Sequence, residues 1–225
     1  MVGEIKVNYN LECEKILNSL DLNNKKKLLL HACCAPCSSA VLEKISKYFK
    51  ITILFYNPNI TDYSEYLKRK EELKRLIKEV GYDIEVMDCD YDKEKFISMA
   101  LGLEDKKEGD IRCYKCYKLR LEKTALVAKE NNFDYFTTTL SISPYKNSKW
   151  LNEIGKELSA KYKVDYLYAD FKKKNGYKRS IELSNIYHLL VSISCTLYLP
   201  FSSFFDAATP FLSVTIVSTS LFSIS

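Results

Sequence analysis

Glycine is scarce in this chain, with 6 copies among 225 residues, and none lies in the loop that follows the first predicted strand. That loop reads Cys-Cys-Ala-Pro-Cys-Ser-Ser over residues 33–39. Nucleotide-binding α/β proteins place glycines here, because the backbone must approach the phosphates closely. A loop of thiols and a proline therefore disfavours ATP or a dinucleotide as the ligand at this position.

A secretory signal is also missing from the first 27 residues, which are charged throughout and hold no long apolar run before a small-residue cleavage site. The sequence therefore predicts a cytoplasmic protein. Its eight cysteines would then lie in a reducing compartment, where disulfide frameworks are rare. Metal binding or redox chemistry is the usual role of clustered thiols there.

The chain has no strong charge imbalance either, since its formal net charge is +5. Basic residues nevertheless form runs at 25–27, 68–70 and 172–174, and several of the 17 tyrosines lie beside lysines. Such a surface could bind a polyanion such as RNA. Ordinary solvated helix faces explain the same runs, so charge alone leaves both interpretations open.

Short apolar segments alternate with amphipathic ones, which is the pattern of strands separated by helices. The predicted strands are 27–32, 51–56, 82–87, 133–140 and 164–169. The predicted helices are 38–49, with Ser38 or Ser39 as N-cap, then 62–80, 93–103, 114–131, 148–162 and one from 181 onward. This order predicts a three-layer α/β domain, with a mainly parallel sheet of about five strands and helices on both faces. The expected fold is Rossmann-like, of the PP-loop or HUP type without the phosphate loop, and its ligands bind at the carboxyl ends of the strands.

Two Cys-x-x-Cys pairs, Cys34/Cys37 and Cys113/Cys116, are the strongest chemical signal, and Cys33 adds a fifth thiol. Four thiolates satisfy either a tetrahedral zinc ion or an iron–sulfur cluster. The pairs are far apart along the chain, so the fold must bring them together, as two loops at one edge of the sheet would do. A surplus thiol, and charged residues just before Cys113, favour reactive chemistry over a closed structural zinc site.

Four other residues near these motifs each have a less specific interpretation. Asp110, just before the second pair, is either a ligand or proton donor at the metal or the N-cap of the helix that follows. His31 either tunes the site or is a hydrogen-bonded core histidine. Cys13 is predicted to be an incidental thiol and Cys89 a structural one.

Several stretches, in the right order, resemble the QueH-type epoxyqueuosine reductases. They are HACCAPCS (31–38), FYNPNI (55–60), EYLKR (65–69), RCYKCYKLR (112–120), TTTLSISPYK (137–146) and YKRS (177–180). The resemblance covers about residues 5–185. It implies an oxidoreductase for the last step of queuosine synthesis, in which the epoxide on the cyclopentane ring of epoxyqueuosine in tRNA is reduced to an alkene.

The resemblance also implies a [4Fe-4S] cluster, with Cys33, Cys34, Cys113 and Cys116 as its ligands and Cys37 outside that set. Such a cluster delivers electrons one at a time. An additional mononuclear iron is a further expectation, and Asp110 would supply a proton or help to hold it. The expected partners are the tRNA anticodon loop, bound through basic and tyrosine side chains, and a low-potential electron donor such as ferredoxin or flavodoxin.

Two other functions compete with this hypothesis. An iron–sulfur-dependent tRNA thiolation enzyme shares the fold class, but it activates its substrate base with ATP and needs the glycine-rich loop that is missing here. A non-catalytic zinc-binding RNA module would use the same thiols. Absorbance distinguishes the zinc module from an iron–sulfur enzyme, because zinc thiolate is colourless and a [4Fe-4S] cluster is brown.

The sequence changes character near residue 185. Between residues 186 and 225 the single charged residue is Asp206, and the family's Tyr-Cys-Gly-Cys segment, whose cysteines are thought to form a redox-active pair, is absent. We therefore expect residues 1–185 to form the catalytic iron–sulfur domain and 186–225 to be an atypical apolar tail outside the family fold, as a frameshift would produce. Pro200, Asp206 and Pro210 interrupt its apolar stretches, so a membrane-spanning helix is not expected. Without the cysteine pair, full catalytic turnover is uncertain, whereas all four cluster ligands lie upstream.

Overall fold

A parallel sheet of five strands lies at the centre of the protein, whose computed structural model describes residues 7–190. The strands are β1 (Lys26–His31), β2 (Phe49–Leu54), β3 (Glu85–Met87), β4 (Tyr135–Thr138) and β5 (Asp165–Tyr166). They pair in the order β3-β2-β1-β4-β5, and every pair is parallel. The predicted α/β fold class is confirmed.

Seven α-helices accompany the sheet within the described part of the chain. They are α1 (Tyr9–Ser19), α2 (Ala35–Ile45), α3 (Tyr63–Val80), α4 (Lys93–Ala100), α5 (Ile111–Glu130), α6 (Ser148–Tyr162) and α7 (Gly176–Ile186). Alternate residues of β1 point to opposite faces of the sheet. Leu28 and Leu30 join the hydrophobic cluster formed with α1, α2, α3 and α7. Leu29 joins the cluster formed with α5 and α6. Helices therefore cover both faces, as the three-layer prediction requires.

The order of the strands reverses beside β1. The chain passes from β1 outward through β2 and β3, and then returns to add β4 and β5 on the other side of β1. Ligands of open parallel sheets bind in the crevice at such a reversal, at the carboxyl ends of the strands. Cys33 and Cys34 directly follow β1, and Thr139 directly follows β4. The first cysteine motif therefore lies at the position where this architecture binds its ligands.

Helix α2 begins at Ala35, three residues before the predicted start. Pro36 occupies its first turn, where the fixed φ of proline suits a helix and its missing N–H costs nothing. The prediction of a serine N-cap is wrong, because Ser38 and Ser39 lie inside the helix and donate their hydroxyls to the Cys34 and Pro36 carbonyl oxygens at 2.7 and 2.9 Å. Because α2 begins at Ala35, Cys37 lies on its first turn.

Helix α5 likewise begins earlier than predicted, at Ile111, with Asp110 as its N-cap. The Asp110 carboxylate accepts a hydrogen bond from the Ile111 backbone N–H at 2.6 Å, which satisfies one of the free donors at the helix start. Cys113 and Cys116 therefore lie on the first two turns of a helix and not on a loop.

Of the predicted tail, residues 186–225, only 186–190 belong to the described part of the chain. Helix α7 ends at Ile186. The few residues after α7 pack on α3. Leu189 is 6% exposed, and the Leu190 backbone N–H donates to the Glu72 carboxylate at 2.6 Å. Arg75 donates to two backbone carbonyl oxygens of the same segment, at 3.0 and 3.4 Å. Among residues 7–190, no helix is both long and apolar enough to cross a membrane.

These contacts identify where the chain can be shortened. Removing residues 191–225, which carry one charged residue, is expected to raise solubility because it deletes apolar sequence. Ending the chain after Asn185 also removes Leu189 from the core, at a cost of about 1.5–3 kcal/mol. Urea unfolding of the two shortened chains measures this difference. Equal stability would contradict the packing role of Leu189, and unchanged aggregation of the chain that ends at residue 190 would contradict the prediction for the tail.

Candidate metal centre

Three thiols of the first motif lie together at the strand reversal. The Sγ atoms of Cys33, Cys34 and Cys37 are all within 4.8 Å of one another, close enough to hold a metal ion. The Cys33 and Cys34 sulfurs are 3.7 Å apart. Cys33 ends the loop after β1, Cys34 is the N-cap of α2 and Cys37 lies in its first turn. The early start of α2 therefore brings Cys37 into the group.

The hydrogen bonds among the three thiols converge on Cys33. The Cys34 thiol, the Cys37 thiol and the Thr139 hydroxyl donate hydrogen bonds to the Cys33 sulfur, and together they hold its pKa well below the usual thiol value against the effect of burial. The bond to Cys33 in turn raises the pKa values of Cys34 and Cys37, because each serves as its donor. The three thiols are a soft donor set, in which Cys33 loses its proton most readily.

The second pair approaches the same region from α5. Cys113 packs against the hydrophobic cluster that contains Cys33, and Cys34 and Cys37 pack against that cluster too. The Cys113 sulfur accepts a hydrogen bond from the Gly109 backbone N–H at 3.3 Å. Cys116 is buried, in a cluster with residues of α4. Among residues 7–190, only the first-motif thiols form a group of three or more ligands close enough to share one metal ion. The predicted ligands Cys113 and Cys116 are not part of that group.

His31 is a core histidine whose two ring nitrogens both form hydrogen bonds. It is completely buried, and its Nε2–H donates to the Tyr56 carbonyl oxygen at 3.0 Å. Its Nδ1 accepts from the Thr138 hydroxyl at 2.8 Å, the arrangement that leaves both ring nitrogens bonded. Burial, and then the charge of Arg120, lower its pKa to about 3. The imidazole is therefore neutral and holds β1 to its neighbours.

Arg120 is a functional candidate that the sequence analysis missed. Its side chain is 1% exposed, and its Nη1 donates to the Asn57 Oδ1 at 3.3 Å. The Asn57 amide donates in turn to the carbonyl oxygen of Ala32 at 2.8 Å. A buried guanidinium thus supports the backbone directly before Cys33. The signal for it was its position four residues after Cys116, on the same helix face, but arginine is rarely buried.

Asp110 and its neighbour Glu108 lie on the loop that leads into α5. Asp110 is exposed and serves as the helix N-cap. Glu108 forms a 2.6 Å ion pair with Lys146, whose side chain is buried in the loop after β4. This pair ties the loop before Cys113 to the edge of the sheet where Cys33 lies.

The two other cysteines considered as non-ligands lie apart from the thiol group. Cys13 is buried in the core between α1 and the sheet, and burial raises its pKa to about 11. Cys89 follows β3, and partial burial raises its pKa as well. Cys195 lies outside the described residues.

Comparison with known proteins gives consistent matches. Residues 28–196 match the family model described as epoxyqueuosine reductase QueH. The chain is 39% identical over 197 residues to epoxyqueuosine reductase QueH of Staphylococcus epidermidis, covering 84% of this chain and 83% of that protein. It is 36% identical over 197 residues to the protein of the same description from Staphylococcus aureus, covering 84% and 82%. The Histophilus somni protein of that description is 45% identical over 161 residues, covering 70% and 65%.

A solved structure shares the fold. The U34-tRNA thiolase NcsA from Methanococcus maripaludis, with its [4Fe-4S] cluster, superposes with a TM-score of 0.50 over 86% of this chain and 68% of that chain, at 14% sequence identity. At that identity the likeness concerns the fold alone, whereas the matched family and the identities to the three relatives extend over most of the sequence. The chain therefore belongs to the epoxyqueuosine reductase QueH family of oxidoreductases.

Proposed function

We propose that this enzyme reduces epoxyqueuosine to queuosine at the wobble position of tRNA with a [4Fe-4S] cluster bound by Cys33, Cys34, Cys113 and Cys116. The observation that carries the proposal is the group of first-motif thiols at the strand reversal, bordered by the helix that bears the second pair. The relatives described as epoxyqueuosine reductases support the reaction.

The residues at the site fit such a cluster. Thiolates are the ligands that iron–sulfur clusters use in proteins, and the environment of Cys33 already favours its thiolate. A cluster with four thiolate ligands carries net negative charge, and the buried cations Arg120 and Lys146 lie on α5 and on the loop tied to it. The thiolase from Methanococcus maripaludis, which has the same fold, holds a [4Fe-4S] cluster, so this fold accommodates one.

The cluster would supply electrons singly at low potential. Reduction of an epoxide to an alkene needs two electrons and releases the oxygen atom, which must be protonated. In this proposal Asp110 relays protons from solvent, a role supported by its exposure and by its position three residues before Cys113. An additional mononuclear iron, held in part by Asp110, stays a prediction from the sequence.

The partners in this proposal are tRNA and a low-potential electron donor such as ferredoxin or flavodoxin. Tyr145, 70% exposed, lies on the loop after β4 at the edge of the sheet that bears Cys33, where it can stack on a splayed base of the anticodon loop. Lysines 172–174 lie on the loop after β5 and can contact phosphates. A tRNA substrate would place the enzyme in the cytoplasm.

A thiolation reaction is less compatible with the start of α2. Activation of a base with ATP requires a loop and helix start that offer backbone N–H groups to phosphates. Here Pro36 occupies the first turn and has no N–H to offer, while Cys34 and Cys37 fill the same position with sulfur. This geometry favours a sulfur-ligated metal over a nucleotide.

Metal analysis tests the proposal directly. After anaerobic reconstitution the protein should be brown and hold about four irons and four sulfides per chain. Epoxyqueuosine-containing tRNA should then be converted to queuosine-containing tRNA, as measured by mass spectrometry of the nucleosides. Turnover should be slow, because the Tyr-Cys-Gly-Cys segment is absent from the sequence. Stoichiometric zinc without iron under these conditions would refute the cluster and support the zinc module.

A further inference from the structure

The hydroxyl of Tyr117 has no role in the proposed reaction and no partner among the described residues. Tyr117 lies on α5 and is 1% exposed. Within residues 7–190, no atom forms a hydrogen bond with its hydroxyl. Leaving a buried hydroxyl unbonded costs about 1–3 kcal/mol, and such groups are few in folded proteins. The hydroxyl therefore needs an acceptor that this part of the chain does not provide.

The position of Tyr117 on its helix indicates which acceptor that is. Cys113, Cys116, Tyr117 and Arg120 are spaced by three, one and three residues, which places them on one face of α5. Tyr117 belongs to the hydrophobic cluster that contains Cys33. The face that bears the second pair of thiols thus also presents a phenol to the region of the first motif.

The ionisable groups around the phenol limit which group can accept its hydrogen bond. Lys146, Cys113, Arg120 and Cys116 all act electrostatically on the hydroxyl. Lysine and arginine can only donate hydrogen bonds, so neither cation can accept one from the phenol. A phenol is protonated, and can donate a hydrogen bond, throughout the physiological range even at its ordinary pKa.

We propose that the Tyr117 hydroxyl donates a hydrogen bond to an inorganic sulfide of the cluster, a sulfur that the protein itself does not contain. This inference rests on the proposed function, because it requires the cluster. A hydrogen bond to such a sulfide stabilises the more negative, reduced cluster and raises its reduction potential. Tyr117 is thus a positioning and tuning residue that acts through the cluster.

The test is Tyr117→Phe, which removes the hydroxyl and keeps the ring. Without iron, this variant should be as stable as the wild type or more so, because it loses an unbonded buried hydroxyl. With the cluster bound, the one-electron reduction constant should fall about tenfold, which lowers the midpoint potential by about 59 mV. Resonance Raman bands of the cluster should also lose their shift in D₂O. Tyr114→Phe, on the same helix but packed edge-to-face on Trp150, is the matched control and should change neither property.

Two results would overturn the inference. One is an unchanged midpoint potential in a fully loaded Tyr117→Phe protein. The other is a metal-free Tyr117→Phe protein that is less stable than the metal-free wild type, since this means that the hydroxyl already has an acceptor such as a bound water. A wild-type chain that takes up no iron would instead refute the proposed function, and this inference with it.

Discussion

Replacing any one of Cys33, Cys34, Cys113 and Cys116 by alanine is expected to abolish the cluster, with the loss of about four irons per chain. Each substitution removes one of the four proposed thiolate ligands. Cys33→Ala also removes the thiol whose pKa the hydrogen bonds from Cys34, Cys37 and Thr139 lower. Iron and sulfide content after anaerobic reconstitution, together with visible absorbance, measures the effect.

The remaining cysteines are the controls for this series. Cys89→Ala should keep its full iron content, and Cys13→Ala should keep it even where the loss of a buried core thiol lowers stability. Cys37→Ala is the informative variant, because its sulfur lies within the first-motif group while the resemblance leaves it out of the ligand set. We expect it to retain the cluster. Loss of iron from Cys37→Ala, with retention by Cys33→Ala, would show that the simple Cys34/Cys37 pairing is correct.

Arg120→Met is expected to weaken both the fold and the site. Methionine fills much of the space but leaves the Asn57 Oδ1 without the donor that Arg120 provides at 3.3 Å. An unsatisfied buried acceptor costs about 1–3 kcal/mol. Because Asn57 also holds the Ala32 carbonyl, the backbone before Cys33 should become more mobile and the cluster should be lost faster.

Urea unfolding of the metal-free chain and the rate of iron release to a chelator measure these two effects of Arg120→Met. Arg179→Met is the control, since Arg179 is an exposed arginine paired with Glu43 and Glu182, and surface pairs contribute little. Arg120→Lys keeps the charge and should recover part of the iron retention. An Arg120→Met protein with wild-type stability and wild-type iron release would show that the Arg120–Asn57 link does not support the cysteine loop.

Local patterns in the sequence were sufficient to predict the architecture. Alternating apolar segments predicted five strands in a parallel sheet, and the bounds of α6 agree with the prediction at both ends. Helix α3 begins after Asp62, whose side chain caps it, and ends at Gly81, which takes the left-handed conformation. These signals act over a few residues, through side-chain periodicity and capping, so they can be recognised without the fold. The same reasoning placed Cys33 and Cys34 at the carboxyl edge of the sheet.

Capping signals were ambiguous where the cysteines lie. The sequence favoured Ser38 or Ser39 as the N-cap of α2, whereas the structure has Cys34 at that position, with Pro36 in the first turn. Asp110 had two possible roles, and the structure shows that it caps α5, while a catalytic role stays a proposal. The ligand set itself stays a prediction, because the thiols of the first motif group together while those of α5 lie outside that group.

The sequence by itself determined the fold class, the edge of the sheet that bears the site and the soft donor chemistry of its thiols. Only the tertiary structure decided what surrounds those thiols: Asn57 meets Arg120 across 63 residues of chain, and Thr139 meets Cys33 across 106. The burial of Arg120 and the unbonded hydroxyl of Tyr117 likewise depend on how α5 packs on β1 and β4. Contacts between residues so far apart are set by strand order and helix packing, and neither leaves a local pattern in the sequence.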